Sequence, residues 1–394
     1  MRRFSDAANR LEGQKMFQIL AKTKELERQG KTILHFEIGD PDFNTPRNIV
    51  DAAYDSLRKG ETHYASSSGL FEFKVAAAEV TEKSRGFKPD LNQILVTPGA
   101  NVQVYYAVAC TTNPGEEVII PDPSFVSYKS VINFLGAKPV SIALLEKNDF
   151  RLNPKDVEKA VTDKTRMIII NSPHNPTGAV MKEEEIAEIY DISKKHDFYL
   201  LSDEIYARMI YDDSEIKFHS PSAYDHCKER VILSNSFSKS YAMTGWRIGG
   251  VTAPSDLTEK MTLLLESTTS CVSPFIQKAG IEALKGSQEP IKAMVREFKK
   301  RRDLMVEKLN AIPGINCLKP KGAFYVFPNI RTTGLTSQEF TDFMLEEAGV
   351  AVCPGNYFGD SGEGYVRLCY ANSLENIERA TERMKDALEN KTYQ

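Results

Sequence analysis

The chain is short of several things. It carries one tryptophan, six cysteines and six histidines in 394 residues. The cysteines (Cys110, Cys227, Cys271, Cys317, Cys353 and Cys369) are scattered, with no CxxC pair and no metal-ligand spacing to the histidines. That excludes a zinc module and a disulfide scaffold, and the thiols read as small core residues in a reducing compartment. No apolar run approaches the length of a membrane span, and "MRRFSDAANRLEGQKMF" has two arginines but no continuous apolar stretch like a leader peptide. A cytoplasmic location with no membrane partner is expected. Nor does one charge dominate: 54 acidic against 50 basic residues leave a net −4, spread along the chain. Nucleic acid finds no basic stripe here, so any phosphate site must be local.

What is present is the material of a folded protein: 41% hydrophobic and 26% charged residues, in a chain longer than one core comfortably fills. One large domain and a smaller one are expected. From about residue 94 to 252, short β-branched runs alternate with helical stretches: "QILVTPGA", "EEVIIPDPSF", "TRMIIINSP", "FYLLSDEIY", "RVILSNSFSK" and "RIGGVTAP". Runs such as "MIII" and "YLLS" are apolar throughout rather than alternating, as in a parallel sheet covered on both faces. This predicts an α/β layered domain. After Pro254 long helical segments take over, and "EPIKAMVREFKKRRDLMVEKLNAIPG" reads as a helix whose KKRR run is a solvated face. Strands "AFYVFP" and "YVRLCYA" with helices "SQEFTDFMLEEAG" and "LENIERATERMKDAL" predict a smaller α+β domain.

Open α/β sheets bind ligands beyond the carboxyl ends of their strands. The polar residues that close each apolar run are therefore the candidates. "VTPGAN" ends in Gly99 and Ala100 at a helix start, where free amides and the helix dipole suit a phosphate. "IIINSPHNPTG" ends in Asn175, "YLLSDEIY" in Asp203 and Tyr206, and "VILSNSFSK" in Ser236, Ser238 and Lys239. Each alone reads as an ordinary turn or cap. Together they recur at successive strand ends.

In order, "NSPHNPTG", "SDEIY", "SFSKSYAMTGWRIGG", "PKGAFYVFP" and "GYVRLCYA" resemble the signatures of pyridoxal-phosphate-dependent aminotransferases of fold type I, class I, the aspartate-aminotransferase-like group. The likeness runs from "HFEIGDPDFNTP" at residue 35 to "GYVRLCYANS" and covers most of the chain. It implies a large domain with a mostly parallel seven-stranded sheet between helices, plus a smaller α+β domain. The implied division is an N-terminal arm and part of the small domain over 1–45, a cofactor domain over 46–285, and the small domain over 286–394. The implied reaction is ping-pong amino transfer between an L-amino acid and a 2-oxo acid, 2-oxoglutarate foremost, with aspartate, an aromatic amino acid or alanine as donor.

Carried over residue by residue, the resemblance makes Lys239 the Schiff-base lysine and proton shuttle, and Asp203 the partner of the pyridine nitrogen. Asn175 and Tyr206 become donors to the ring phenolate oxygen, and Phe125 the aromatic on the ring face. Gly99, Ala100, Asn101, Ser236, Ser238 and Arg247 become the phosphate site. Tyr64, in "THYASSSG", matches a tyrosine that reaches the neighbouring subunit's phosphate, which implies at least a homodimer. Arg367 and Gly39 become the grip on the substrate α-carboxylate, with Asn175 and Phe17 also near the substrate. No metal is implied.

Asn101 stands where several aspartate-specific relatives of this group have a lysine for a second carboxylate, and Phe17, Tyr105, Phe324 and Tyr325 suggest a more aromatic-tolerant pocket. Other readings stay open. The same fold and cofactor support lyases. Ser236-Phe237-Ser238-Lys239 also satisfies the SxxK pattern of penicillin-binding enzymes, with Tyr370-Ala371-Asn372 as their YxN, though no later K-[ST]-G follows.

Overall fold

Seven strands carry the centre of the molecule. The computed structural model describes residues 3–11, 13 and 16–391, the side chains of Met16 and Phe17 excepted. The strands, in chain order, are β1 (Leu34–His35), β2 (Ile94–Thr97), β3 (Glu117–Asp122), β4 (Lys138–Ala143), β5 (Thr165–Asn171) and β6 (Tyr199–Asp203), then β7 (Val231–Ser236), β8 (Gly249–Thr252), β9 (Tyr325–Val326), β10 (Val350–Ala351), β11 (Cys353–Pro354) and β12 (Val366–Cys369).

The large sheet has the order β2-β8-β7-β6-β5-β3-β4. Its central strands are buried on both faces, Met167, Ile168, Leu200, Leu201, Ile232 and Leu233 completely. That explains their unbroken apolar sequence. β3, β4, β5, β6 and β7 pair in parallel. β8 alone is reversed, antiparallel to both β2 and β7. Between Ser236 and Gly249 lies a turn with one short 3-10 segment, Thr244–Trp246, instead of the crossover helix that a parallel return requires. The reversal sets Arg247, just ahead of β8, at the same sheet edge as Ser236, at the end of β7.

A second layer follows. β11, β12 and β9 form a three-stranded antiparallel sheet, and β1 pairs in parallel with β10, which ties the N-terminal segment to the C-terminal part. Helices Glu289–Asn310, Ser337–Phe343 and Leu374–Lys391 cover these strands. They share a core that includes Phe298, Met305, Phe324, Val326, Tyr370 and Met384.

The solvated face expected over Lys299–Arg302 holds for Lys300 and fails for the two arginines. Arg302 is 0% exposed, with Nη2 at 2.7 Å from Asp213 Oδ2 and from Asp303 Oδ1, and its guanidinium 4.3 Å above the Tyr211 ring. Arg301 Nη1 meets Asp42 Oδ1 at 2.7 Å. Helical periodicity cannot register this, because a long arginine lays its stem along apolar surface and Asp42 and Asp213 come from remote loops.

Candidate active site

Because the sheet is almost wholly parallel, Asn171, Asp203 and Ser236 end their strands at one edge, and there a cavity of about 210 Å³ opens. It brings together Gly39, Ala100, Asn101, Phe125, Asn175, Asp203, Tyr206, Ser236, Ser238, Lys239, Arg247 and Arg367. Segments from residue 39 to residue 367 thus converge on a space suited to one small molecule.

Lys239 projects from the turn after β7, and its Nζ donates to the Gly39 carbonyl at 2.7 Å. Burial lowers its pKa to about 8, with Arg367 and Arg247 pushing in the same direction against Asp40. An amine so placed is partly free near neutral pH, as a nucleophile must be. Gly39 has to be glycine: a Cβ there would collide with the Tyr325 hydroxyl.

Asp203 ends β6 and is buried. Tyr128 OH donates to its Oδ2 at 2.5 Å, and the Ile205 amide to its Oδ1 at 3.3 Å. Burial raises the carboxyl to about 6, while those two hydrogen bonds hold it down. A cation placed against it would draw the value lower still. Asn171, the last residue of β5, braces this floor: its Nδ2 donates to the Asp203 carbonyl at 3.0 Å and its Oδ1 accepts from the Asn175 amide at 2.9 Å. Tyr206 OH pairs with Tyr325 OH at 2.8 Å.

The start of helix Asn101–Thr111, whose first residue follows Ala100 with no side-chain cap, could hold an anion. Its first amides therefore remain for another acceptor, whereas the Gln103 amide already bonds the Ala100 carbonyl at 2.9 Å. Ser236 Oγ stands 3.0 Å from Ser238 Oγ. Arg247 is anchored by Nη1 to the Thr244 carbonyl at 2.8 Å. Gly99, at φ +86°, borders it, and a Cβ there would strike the guanidinium.

Arg367 on β12 is 1% exposed. Its Nη2 donates to the Glu37 carbonyl at 2.5 Å and its Nη1 to Asn175 Oδ1 at 3.1 Å, while Tyr325 and Phe358 rings each lie 4.7 Å from the guanidinium. Its Nε is buried without a partner. No carboxylate pairs with this charge among the described residues, so a donor and a full positive charge stand ready for an acid.

Tyr64 is not in the cavity; it is 88% exposed on the surface of the chain. Phe17 belongs to helix Met16–Arg28, but its side chain lies outside the described ones. Tyr325 lines the cavity, whereas Phe324 is core and Tyr105 packs on Tyr106 and Phe134 away from it. The SxxK reading meets a different geometry: Ser236 ends a strand, and Lys239 Nζ bonds Gly39. Sequence reasoning missed Tyr128, Asn171 and Glu37. Tyr128 stands three residues after Phe125, one helical turn on, which is the one signal that pointed to it.

The family model for aminotransferase class I and II matches residues 31–384. The chain belongs to the class I and II aminotransferases. This aminotransferase is 43% identical to the aspartate aminotransferase of Pyrococcus abyssi over 389 residues, 98% of this chain and 97% of that one. It is also 43% identical to aromatic-amino-acid aminotransferase 2 of Thermococcus litoralis over 375 residues, 94% of this chain and 96% of that protein. A solved aspartate aminotransferase of Thermus thermophilus with maleate superposes with a TM-score of 0.94 at 34% identity, covering 98% of this chain and 100% of that one. The fold is therefore type I and the enzyme a transaminase, a family that works with pyridoxal phosphate. The donor set of the aminotransferase suits that group: a softened amine, a buried carboxylate, an uncapped helix start beside a guanidinium, and a glycine that keeps the approach to Arg247 clear.

Proposed function

We propose that the enzyme transfers an amino group from an L-amino acid to 2-oxoglutarate in two half-reactions at this one cavity. The observation that carries the reading is the convergence of Lys239, Asp203 and Arg367 on it. Bound there, pyridoxal phosphate supplies an aldehyde that takes up the amino group and a ring that draws electrons from the substrate Cα. Lys239 would hold the group through its Nζ and would move the proton at the substrate Cα, a dual task for which a pKa of about 8 suits it. Asp203 would pair with the ring nitrogen and favour its protonated form. Asn175 and Tyr206 would hold the ring oxygen, and Phe125 would pack on the ring. Gly99, Ala100, Asn101, Ser236, Ser238 and Arg247 would hold the phosphate. Arg367 and the backbone at Gly39 grip the α-carboxylate, and Arg367 Nε, now unpartnered, gains an acceptor.

The donor side chain is uncharged, aromatic or small. Lys239, Arg247 and Arg367 are the cations that line the cavity among the described residues, and all three are already engaged by the cofactor or the α-carboxylate. Ile38, Asn101, Val104, Ile205 and Tyr325 remain for the side chain. Aspartate is the second reading, favoured by the likeness to the Pyrococcus abyssi enzyme. We further propose a homodimer in which the exposed Tyr64 completes the partner's phosphate site, and a cytoplasmic enzyme, in keeping with six free cysteines. The division at 1–45, 46–285 and 286–394 draws support from the β1–β10 pairing, which joins the arm to the small domain.

The test is a panel of about twenty amino acids with 2-oxoglutarate, product oxo acids ranked by kcat/KM, since specificity is the ratio of those values. Aromatic or small donors at the head of the ranking support the proposal. Aspartate ahead of them by tenfold or more refutes the side-chain assignment, and ammonia release without acceptor turnover refutes transamination in favour of a lyase.

A further inference from the structure

One short segment grips both working side chains. The Glu37 carbonyl accepts from Arg367, and two residues on the Gly39 carbonyl accepts from Lys239. What fixes the segment is a chain of side chains outside the cavity. Glu37 is 0% exposed, and its carboxylate is paired through Oε1 with His35 Nδ1 at 2.8 Å. The opposite ring nitrogen, Nε2, lies 3.1 Å from Glu27 Oε1 on helix Met16–Arg28. Carboxylates only accept, so both ring nitrogens donate and His35 is an imidazolium held between two anions. Asn372 Nδ2 holds the His35 carbonyl at 3.0 Å, and the paired residue on β10, Ala351, is neutral. Beyond Glu37, Arg367 and Cys353 share its surroundings. The helix itself is moored to the small domain by Lys22, which bonds Asp342 and Glu346 at 2.9 Å each.

We propose that His35 is a positioning residue: its imidazolium clasps Glu27 to Glu37 and so fixes the Glu37 carbonyl that aims Arg367. The inference rests on the reading of Arg367 as the carboxylate grip. Without the imidazolium, Glu37 is a buried carboxylate with no salt-bridge partner among the described residues, and its Oε2 already lacks a hydrogen-bond partner. The segment must then shift or open. The hydrogen bond that His35 donates to Glu37, ahead of burial, which opposes it, brings His35 to about 9, and Glu27 adds to the rise. A histidine raised above its unfolded value lends stability that is fully present below about 6.5 and is lost as pH climbs through about 9. The clasp therefore loosens on the alkaline side.

His35→Gln in the holoenzyme tests this, with the 2-oxo acid as variable substrate because it does not itself titrate in this range. The KM should rise roughly tenfold, the worth of a hydrogen bond to a charged group, while kcat and cofactor absorbance change little. Hydrogen exchange should quicken over residues 16–28 and 35–40. In wild type the KM should climb above about pH 9, and in the variant that limb should be missing. Unchanged KM and exchange, or a KM limb that persists in the variant, would overturn the proposal. Glu27→Gln keeps the inner pair and guards against a fold defect: exchange should rise over residues 16–28 alone, and no rise would also overturn it. Arg367→Ala separates the two levels, since an unchanged KM there removes the underlying reading while leaving the exchange results to judge the clasp.

Discussion

Tyr128→Phe removes one oxygen from the floor of the site. Among the described residues that hydroxyl is the sole donor to Asp203 Oδ2, at 2.5 Å, while the Ile205 amide reaches Oδ1 only at 3.3 Å. A hydrogen bond to a buried charge contributes about 1.5 to 3 kcal/mol, equivalent to roughly one to two pKa units. The Asp203 carboxyl, already raised by burial to about 6, should therefore move up. At pH 7 its ionised share in the ligand-free protein should fall from roughly nine-tenths to between a half and a tenth. Only the ionised form can pair strongly with a protonated ring nitrogen. Pyridoxal-phosphate affinity of the apoenzyme, measured from pH 5 to 9, should thus keep its acid-side decline but shift it alkaline by one to two units. Folding follows the same sign: a carboxyl raised above its unfolded value of 3.8 costs stability as pH rises through the native value, so the variant should lose more at pH 7 than at pH 5. An affinity profile that superimposes on wild type would refute the claim that Tyr128 sets this charge.

Arg302→Ala leaves Asp213 and Asp303 facing Lys319 alone and empties the buried site over Tyr211, which should cost about 2 to 5 kcal/mol in urea unfolding, with a loss below about 1 refuting the packing role. Hydrogen bonds from Arg302 and Lys319 overcome burial to hold the Asp213 carboxyl below its ordinary value, so part of that loss should fade on acidification. Arg367→Ala should raise the KM for both substrates by roughly a hundredfold, the worth of a buried bidentate grip, with cofactor affinity within about twofold; equal loss of cofactor affinity would make it structural. Mixing Tyr64→Ala with Lys239→Ala subunits should restore about a quarter of wild-type activity, because half of the random dimers then hold one intact site. No recovery would place Tyr64 outside the partner's site.

The strand-end residues were legible because a parallel sheet writes its function at its carboxyl edge: Asn175, Asp203 and Lys239 each follow an apolar run, and the fold brings them to one cavity. The reversal of β8 was not, since "RIGGVTAP" is as apolar as its neighbours and direction is set by the short link before it. Tyr128 was hidden among helix residues, and its partner lies 75 positions away. Arg301 and Arg302 looked like solvent contacts for the same reason, as Asp42 and Asp213 become neighbours only in three dimensions. Glu37 and His35 read as part of a motif, yet their work is with Arg367 and Glu27.

Borohydride reduction of the holoenzyme, followed by peptide mapping, tests the central claim most directly. Reduction should fix the cofactor as a stable secondary amine on Lys239, the amine that burial has softened to about 8. Label on any other lysine, or none at all with the cofactor bound, would contradict the account.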